Sequence, residues 1–90
     1  MITRQVIIHG RVQGVFFRDY TRKTAISCKV TGWTRNLPDG SVEAVLCGEE
    51  RMVSKMLTWL QRGSPLSRVS SIDVYDINLD ENMSTFEIRY

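Results

Sequence analysis

Apolar residues recur along the chain with two different periods, and each change of period marks the boundary of a predicted element. Residues 4–9 are rich in β-branched side chains and residues 41–47 alternate between apolar and polar, so both segments are predicted strands. Residues 30–35, around Trp33, also have strand composition. From residue 17 to residue 28 the period becomes helical, and one face carries Phe17, Tyr20, Thr24, Ala25 and Cys28.

A turn and a second helix follow. Residues 36–40, in which proline precedes Asp-Gly, predict a tight turn, so the strands on either side form a hairpin. A second helix is predicted to open at residues 48–50, where acidic side chains suit the positive end of a helix, and to stop at Gly63 and Pro65. Its apolar stripe has helical spacing and consists of Val53, Met56, Leu57 and Leu60.

Two further strands are predicted after the second helix. Residues 69–77 form the first of them, and the apolar phase slips between Val74 and Tyr75, which indicates a bulge or a break. Residues 80–82 predict a loop. A short last strand is predicted from apolar side chains that alternate with charged ones, at Phe86, Ile88 and Tyr90.

The predicted order is β-α-β-β-α-β with a short terminal strand, which is the split arrangement of ferredoxin-like folds. We therefore expect an α+β sandwich in which two helices cover one face of an antiparallel sheet of four to five strands. Because a strand–helix–strand unit joins parallel strands, the first two strands should end at the same edge of the sheet. The loop at residues 10–18 is therefore expected to lie beside Asn36.

Length and composition limit the classes of function that fit. The chain has 90 residues, of which 42% are hydrophobic and 24% charged, so we expect one globular domain spanning residues 1–90. A doubly wound dinucleotide-binding domain needs more strands than this length supplies. The sequence has neither a signal-peptide core nor an apolar run of about 20 residues, so we expect a cytoplasmic protein with no membrane partner.

The distribution of charged and metal-binding side chains limits the kinds of ligand that fit. Basic side chains outnumber acidic ones in residues 1–45, and the reverse holds in residues 46–90. A basic half is compatible with nucleic acid, with a solvated surface, or with a small anion held by one or two arginines. His9 and the widely separated Cys28 and Cys47 form no recognisable metal-binding pattern. A reducing compartment favours free thiols, and a disulfide between them stays open as the alternative.

Candidate chemistry lies in residues 10–18, GRVQGVFFR, between the first strand and the first helix. Gly10 and Gly14 permit positive φ, so successive N–H groups can converge into a concave nest that continues into the positive end of the helix. Arg18 lies in the first helical turn, where its guanidinium can bind two oxygens of an anion. By spacing alone, the segment also fits a tight turn followed by a surface arginine.

Two segments together resemble the acylphosphatase family. Residues 10–18 are similar to the family's signature, and residues 32–43, GWTRNLPDGSVE, are similar to its second motif, including the asparagine at Asn36. The end of the second helix at residues 63–65 also matches the family's layout. The resemblance covers nearly the whole chain and departs at Phe16, where the family often has a small residue or cysteine.

This resemblance implies a metal-independent hydrolase without a cofactor, acting on a small-molecule acyl phosphate to give a carboxylate and inorganic phosphate. Inorganic phosphate, as the product, would also be an inhibitor. The resemblance implies that Arg18 binds the phosphate and that Asn36 positions the attacking water. A carboxylate is a weakly basic leaving group, so the chemistry needs no general acid and depends mainly on positioning and charge stabilisation. The implied phosphate-binding residues, through their backbone N–H groups and the Arg18 side chain, are Val12, Gln13, Gly14, Val15, Phe16, Phe17 and Arg18.

Two alternatives from other classes stay open. A ferredoxin-like sheet can bind RNA through aromatic side chains on its open face. The strand at residues 41–47 contains no aromatic residue, so we expect no nucleic-acid partner. The second alternative is a relative that binds a small anion without hydrolysing it. We further expect a monomer. Asp19 is expected to favour the helix N-terminus by its charge and not to orient the Arg18 guanidinium.

Overall fold

The computed structural model describes residues 1–78 and 83–90, and these residues form two helices and five strands in the predicted order. The predicted loop at residues 80–82 lies outside the described residues. Neither described helix is long and apolar enough to cross a membrane. The elements are β1 (Ile2–Arg11), α1 (Phe17–Ser27), β2 (Thr31–Asn36), β3 (Val42–Gly48), α2 (Glu50–Arg62), β4 (Arg68–Asp76) and β5 (Phe86–Ile88).

The described strands form one mixed sheet in the order β4-β1-β3-β2-β5. β1 runs antiparallel to β3 and β4, and β2 runs antiparallel to β3, which confirms the predicted hairpin and makes β1 and β2 parallel to each other. The prediction of an antiparallel sheet is wrong at one edge, because β5 pairs with β2 in parallel. Alternation of side chains over three residues carries no information about strand direction, so the pattern could not distinguish the two arrangements.

The core lies between the sheet and the two helices, which pack on the same face. The predicted stripe of α2 is confirmed, since Val53, Met56 and Leu60 are buried and Leu57 packs against them. Burial of these side chains removes them from water, which is the main force that holds the helices on the sheet. The strand side chains that meet the helices are fully buried and consist of Val6, Ile8, Val42, Ala44 and Leu46.

The buried face of α1 agrees only in part with the predicted one, since Phe17 and Ala25 are buried but Thr24 and Cys28 are only half-buried. Tyr20 was expected to face the core, but its side chain is exposed, and Thr21 is buried instead. The buried residues of α1 are therefore Phe17, Thr21 and Ala25, at intervals of four. A threonine can occupy this position because its hydroxyl donates to the Phe17 carbonyl oxygen at 2.8 Å and so carries no unsatisfied donor into the core.

The irregularity predicted between Val74 and Tyr75 lies elsewhere. The register between β1 and β4 shifts between His9 and Gly10, so that Ser70 of β4 is the extra residue. Val74 and Tyr75 are both exposed, and burial therefore does not enforce an apolar phase on this edge strand. At the bulge the two backbones approach closely: Gly10 has φ +125°, and a Cβ there would lie 2.7 Å from the Ser70 nitrogen.

Candidate active site

Two connections meet at the edge where β1 and β2 end: the loop at residues 12–16 and the turn at residues 37–41. The Gln13 side-chain amide joins them, because Nε2 donates to the Leu37 carbonyl oxygen and to the Ser41 carbonyl oxygen, each at 2.8 Å. The predicted proximity of the loop to Asn36, which immediately precedes the turn, is therefore confirmed. Sequence reasoning considered Gln13 only for its backbone N–H and missed this role of its side chain.

The loop is held in place by its apolar side chains. Val12 and Val15 are buried within the same core cluster as the helices, and so is Phe17 at the start of α1. The Phe17 ring lies 5.9 Å from the Trp59 ring of α2, measured between centroids. With these side chains inside, the loop backbone is fixed at the surface of the domain instead of moving as a solvated segment.

The loop backbone contains a run of N–H donors that bond to none of the residues the structure describes. Gly14 has φ +73° and Phe16, the N-cap of α1, has φ +59°, so positive φ recurs at alternate residues. No backbone N–H of residues 13–18 donates a hydrogen bond to another described residue, and Phe16 gives α1 no side-chain cap. Unpaired N–H groups beside the positive end of a helix are the usual features of an anion-binding cradle.

Arg18 is the second residue of α1, and its guanidinium has no carboxylate partner within 4.0 Å among the described residues. Its Nη1 donates to the Arg89 carbonyl oxygen at 3.5 Å, and its Cζ lies 5.0 Å from the centroid of the Tyr90 ring. These contacts orient the half-buried side chain, and no carboxylate in the described part of the chain compensates its positive charge. Such a charge favours an anionic ligand.

Asp19 follows Arg18 in the first turn of α1 but forms no ion pair with it among the described contacts. Its carboxylate is exposed near the positive end of the helix, where a negative charge is favourable. The structure therefore agrees with the preferred interpretation, in which Asp19 stabilises the helix N-terminus by its charge.

Asn36 ends β2 at the same edge, and its side-chain oxygen is buried with no hydrogen-bond partner among the described residues. A buried carbonyl oxygen without a partner costs free energy, so it indicates a position kept for a ligand or a reacting water. Asn36 and Arg18 line the same cavity, which has a volume of about 300 Å³. The complete lining is Val12, Gly14, Phe16, Phe17, Arg18, Asp19, Asn36, Ile88 and Tyr90.

Most of the site residues expected from the sequence line this cavity, but two of them do not. Gln13 and Val15 do not line the cavity, since Gln13 bonds to the turn and Val15 points into the core. Ile88 and Tyr90 line it although sequence reasoning missed them. Their alternation indicated a strand, but only the parallel pairing of β5 with β2 brings that strand to the edge of the site.

The turn after Asn36 is stabilised by its own side chains. The Asp39 carboxylate accepts hydrogen bonds from the Ser41 hydroxyl at 2.5 Å and from the Ser41 backbone N–H at 3.0 Å. These bonds, led by that of the Ser41 side chain, hold the pKa of Asp39 below its ordinary value. The turn that receives Gln13 is therefore a defined structure, which keeps Asn36 in a constant position relative to the loop.

Other candidate groups lie away from this cavity. His9 is a half-exposed residue of β1, as expected, but it has a carboxylate partner that the sequence did not reveal: its Nε2 lies 2.9 Å from Asp73 Oδ2. Cys28 and Cys47 are free thiols. Within residues 1–78 and 83–90, no three side chains of histidine, cysteine, aspartate or glutamate are grouped as a metal site would require.

Comparisons with known proteins agree on one family. Residues 4–88 match the sequence model of the Acylphosphatase family. An acylphosphatase of Syntrophobacter fumaroxidans is 45% identical over 85 residues, which cover 94% of this chain and 88% of the relative. The crystal structure of acylphosphatase from Bacillus subtilis superposes with a TM-score of 0.95 at 36% identity and covers all of both chains. An acylphosphatase structure from Coxiella burnetii gives a TM-score of 0.92 at 39% identity, covering 98% of this chain and 92% of the other.

Proposed function

This chain belongs to the acylphosphatase family and is a hydrolase of acyl phosphates, and we propose that the reaction takes place in the cavity between Arg18 and Asn36. Water attacks the phosphorus atom, the bond between phosphorus and the acyl oxygen breaks, and the products are a carboxylate and inorganic phosphate. The single observation that carries the assignment of the site is the arrangement around one cavity of the Arg18 guanidinium, the loop N–H groups and the Asn36 side-chain oxygen, none of which is paired by the described part of the chain with a carboxylate, an acceptor or a donor, respectively.

In this proposal Arg18 and the loop backbone hold the phosphate. The guanidinium binds two phosphate oxygens, and the N–H groups of residues 12–17 donate to the others. Charge on these oxygens changes during phosphoryl transfer, so fixed donors that need no reorganisation stabilise the transition state. The buried side chains of Val12 and Val15 support the proposal, because they prevent the donors from relaxing away from the anion.

We assign the positioning of the attacking water to Asn36. Its side-chain oxygen accepts a hydrogen bond from the water and directs a lone pair of the water oxygen towards phosphorus. An amide oxygen is too weak a base to remove the proton, so its contribution is orientation, which is a large part of catalysis in reactions of this kind. The assignment is supported by the burial of this oxygen and by its lack of a hydrogen-bond partner within residues 1–78 and 83–90.

The proposal needs neither a metal nor a cofactor. The leaving group is a carboxylate that departs without protonation, and the positive charge that a metal would supply comes from Arg18 and the helix N-terminus. We further propose that residues 1–90 act as one domain and as a monomer in the cytoplasm. The apolar cluster shared by both helices supports the single domain, and the two free thiols, which suit a reducing compartment, support the cytoplasm.

RNA binding is the main alternative from another class, and the geometry of the open sheet face argues against it. Trp33 lies outside the core cluster that the helices cover, but the residue is only 8% exposed. The guanidinium groups of Arg35 and Arg89 lie 5.2 Å and 4.7 Å from the centroid of its ring. A nucleobase would have to displace both cations before it could stack on this ring. We therefore propose that the protein has no nucleic-acid partner.

The decisive experiment measures hydrolysis of benzoyl phosphate and acetyl phosphate by the folded protein in a buffer that contains a metal chelator. We expect turnover of both substrates and competitive inhibition by inorganic phosphate. Turnover only after chelator removal would contradict the metal-independent mechanism. Phosphate binding without any turnover would identify an anion-binding relative instead of an enzyme, and tight binding of single-stranded RNA in a parallel titration would support the alternative class.

A further inference from the structure

Phe16 is exposed at the mouth of the cavity in a backbone conformation that an L-residue adopts only at a cost. Its φ and ψ are 59° and 23°, in the left-handed region, where the Cβ atom crowds the following carbonyl group. Its side chain is nevertheless 67% exposed, so burial in the core does not offset this cost. A large aromatic side chain held at such a position contributes little to folding, which points to a role in recognition.

Phe16 is one of three apolar lining residues of the cavity that are not buried in the core, unlike Val12 and Phe17. Phe16, Ile88 and Tyr90, which we call the apolar rim, line the same space as Arg18 and Asn36. The Tyr90 ring is fully exposed and stacks near the Arg18 guanidinium, at 5.0 Å from centroid to Cζ. The cavity therefore combines an anion-binding floor with an apolar border.

An acyl phosphate has the same two-part character, with a doubly charged phosphate on one side of the bond to be broken and an uncharged acyl group on the other. We propose that the apolar rim receives the acyl group and that Phe16 makes the enzyme prefer aromatic acyl phosphates to short aliphatic ones. This inference rests on the proposed position of the phosphate beside Arg18. The cavity volume of about 300 Å³ is at the lower end of ligand sites, which fits a phosphate with one small ring.

The occupant follows from the size and chemistry of the rim. An offset or edge-to-face contact between Phe16 and an aromatic acyl ring is favourable beyond the loss of apolar surface to water. An acetyl group has no ring and offers much less apolar surface for such a contact. The rim should therefore discriminate between acyl groups while leaving the phosphate to the loop and Arg18.

The test compares kcat/KM for benzoyl phosphate and acetyl phosphate in the unaltered protein, Phe16→Ala and Phe16→Leu. The quantity of interest is the ratio of the two values, because any general effect on the loop backbone or on intrinsic substrate reactivity cancels when variants are compared. We expect Phe16→Ala to lower the benzoyl-to-acetyl ratio about tenfold, at the lower end of what one apolar contact discriminates. Phe16→Leu should give an intermediate ratio.

Leu66→Ala is the matched control, because Leu66 is 66% exposed, close to the 67% of Phe16, but does not line the cavity. It should leave the ratio unchanged. A Phe16→Ala protein whose ratio stays within twofold of the unaltered enzyme would overturn the proposal, and so would an equal change with Leu66→Ala. If Phe16→Ala does not fold, the benzoyl-to-acetyl ratio of Phe16→Leu is used instead, and a ratio equal to that of the unaltered enzyme would overturn the proposal.

A second measurement needs no variant and separates this inference from the proposed function. Benzoylphosphonate and acetylphosphonate are stable analogues that lack the bridging oxygen, so that the acyl carbon is bonded directly to phosphorus. The unaltered protein should bind benzoylphosphonate at least several-fold more tightly, and equal affinities would overturn the role of the rim. Absence of turnover for both acyl phosphates would instead overturn the proposed function, whatever the phosphonates show.

Discussion

The two helices begin at opposite edges of the sheet, and each carries an arginine as its second residue. Arg18 occupies this position in α1 and Arg51 occupies it in α2. Because β3 runs antiparallel to β1, the helix that follows β3 starts at the edge opposite to the cavity. The two arginines therefore have the same position in their helices, but only Arg18 lies in the candidate site.

The difference lies in the connection that precedes each helix. Five residues join β1 to α1, and from residue 13 onwards their N–H groups donate to no described residue. Only Glu49 joins β3 to α2, in an ordinary extended conformation, and its carbonyl oxygen accepts the N–H groups of Met52 and Val53 at 3.0 and 2.9 Å. Arg51 is exposed and lines no described cavity. An arginine near a helix start becomes an anion site only where the connection leaves donors and space beside it.

The largest expected effect distinguishes these two arginines. Arg18→Ala should lower kcat/KM about 10³-fold or more, since positioned arginines contribute this much to phosphoryl transfer, and should abolish inhibition by inorganic phosphate. Arg51→Ala should leave both quantities within twofold of the unaltered enzyme. Steady-state kinetics with benzoyl phosphate measures both. Normal phosphate inhibition of Arg18→Ala would place the anion elsewhere and remove the contrast between the two helices.

The next effect concerns the asparagines at the two edges. Asn36→Ala should lower kcat about 10²-fold, as loss of one positioned polar group does, and leave the inhibition constant of phosphate unchanged. Asn78→Ala, at the opposite edge and exposed, should change neither. If Asn36→Ala loses phosphate binding but keeps its rate at saturation, Asn36 is part of the anion cradle and does not position water.

Local sequence patterns predicted the sheet edge that carries the site, because each segment of that edge is a continuous stretch of the sequence. The loop, the first turn of α1 and the turn after Asn36 are each marked by turn residues or by a change of period, and strand topology alone placed them together. The parallel pairing of β5 and the two residues it adds to the cavity, Ile88 and Tyr90, could not be predicted in this way. That pairing depends on which sheet edge remains open to the last strand.

The errors within single elements have a common physical cause, which is that hydropathy does not record hydrogen bonds or exposure. Thr21 takes the core position predicted for Tyr20 because its hydroxyl is satisfied within the helix. The bulge predicted at Val74 and Tyr75 is absent there, since an exposed edge strand tolerates apolar residues on either face. The side-chain bonds of Gln13 to two distant carbonyl groups likewise leave no local signal in the sequence.

Gln13 provides a smaller effect that tests whether the loop and the turn act as one unit. Gln13→Leu removes both bonds to the turn while keeping a similar volume, so it should lower the free energy of unfolding by about 1–2 kcal/mol. It should also lower kcat/KM about tenfold, because the cradle and Asn36 lose their fixed separation. Urea unfolding and kinetics measure the two effects.

The matched control is Gln61→Leu, on the exposed side of α2. It should change stability by less than about 0.5 kcal/mol, as surface substitutions usually do, and should not change activity. If Gln13→Leu is destabilised but fully active, the two connections do not need their mutual bonds for catalysis, and the contrast between the edges rests on the backbone of the loop alone.

The smallest effect distinguishes the glycines that stand near the two helix starts. Gly14 has φ +73°, and a Cβ built there would meet nothing within 4 Å, so Gly14→Ala carries a purely conformational cost of about 1 kcal/mol in the free energy of unfolding. At Gly48, where φ is outside the left-handed region, a Cβ would meet its neighbours at an ordinary 3.6 Å. Gly48→Ala should therefore be stabilising by about 0.5 kcal/mol, because it restricts the unfolded chain without straining the folded one.

Urea unfolding followed by tryptophan fluorescence measures the change in the free energy of unfolding for both variants, and the test is whether the two changes have opposite signs. Equal effects would mean that the backbone of the cavity edge is no more constrained than that of the opposite edge.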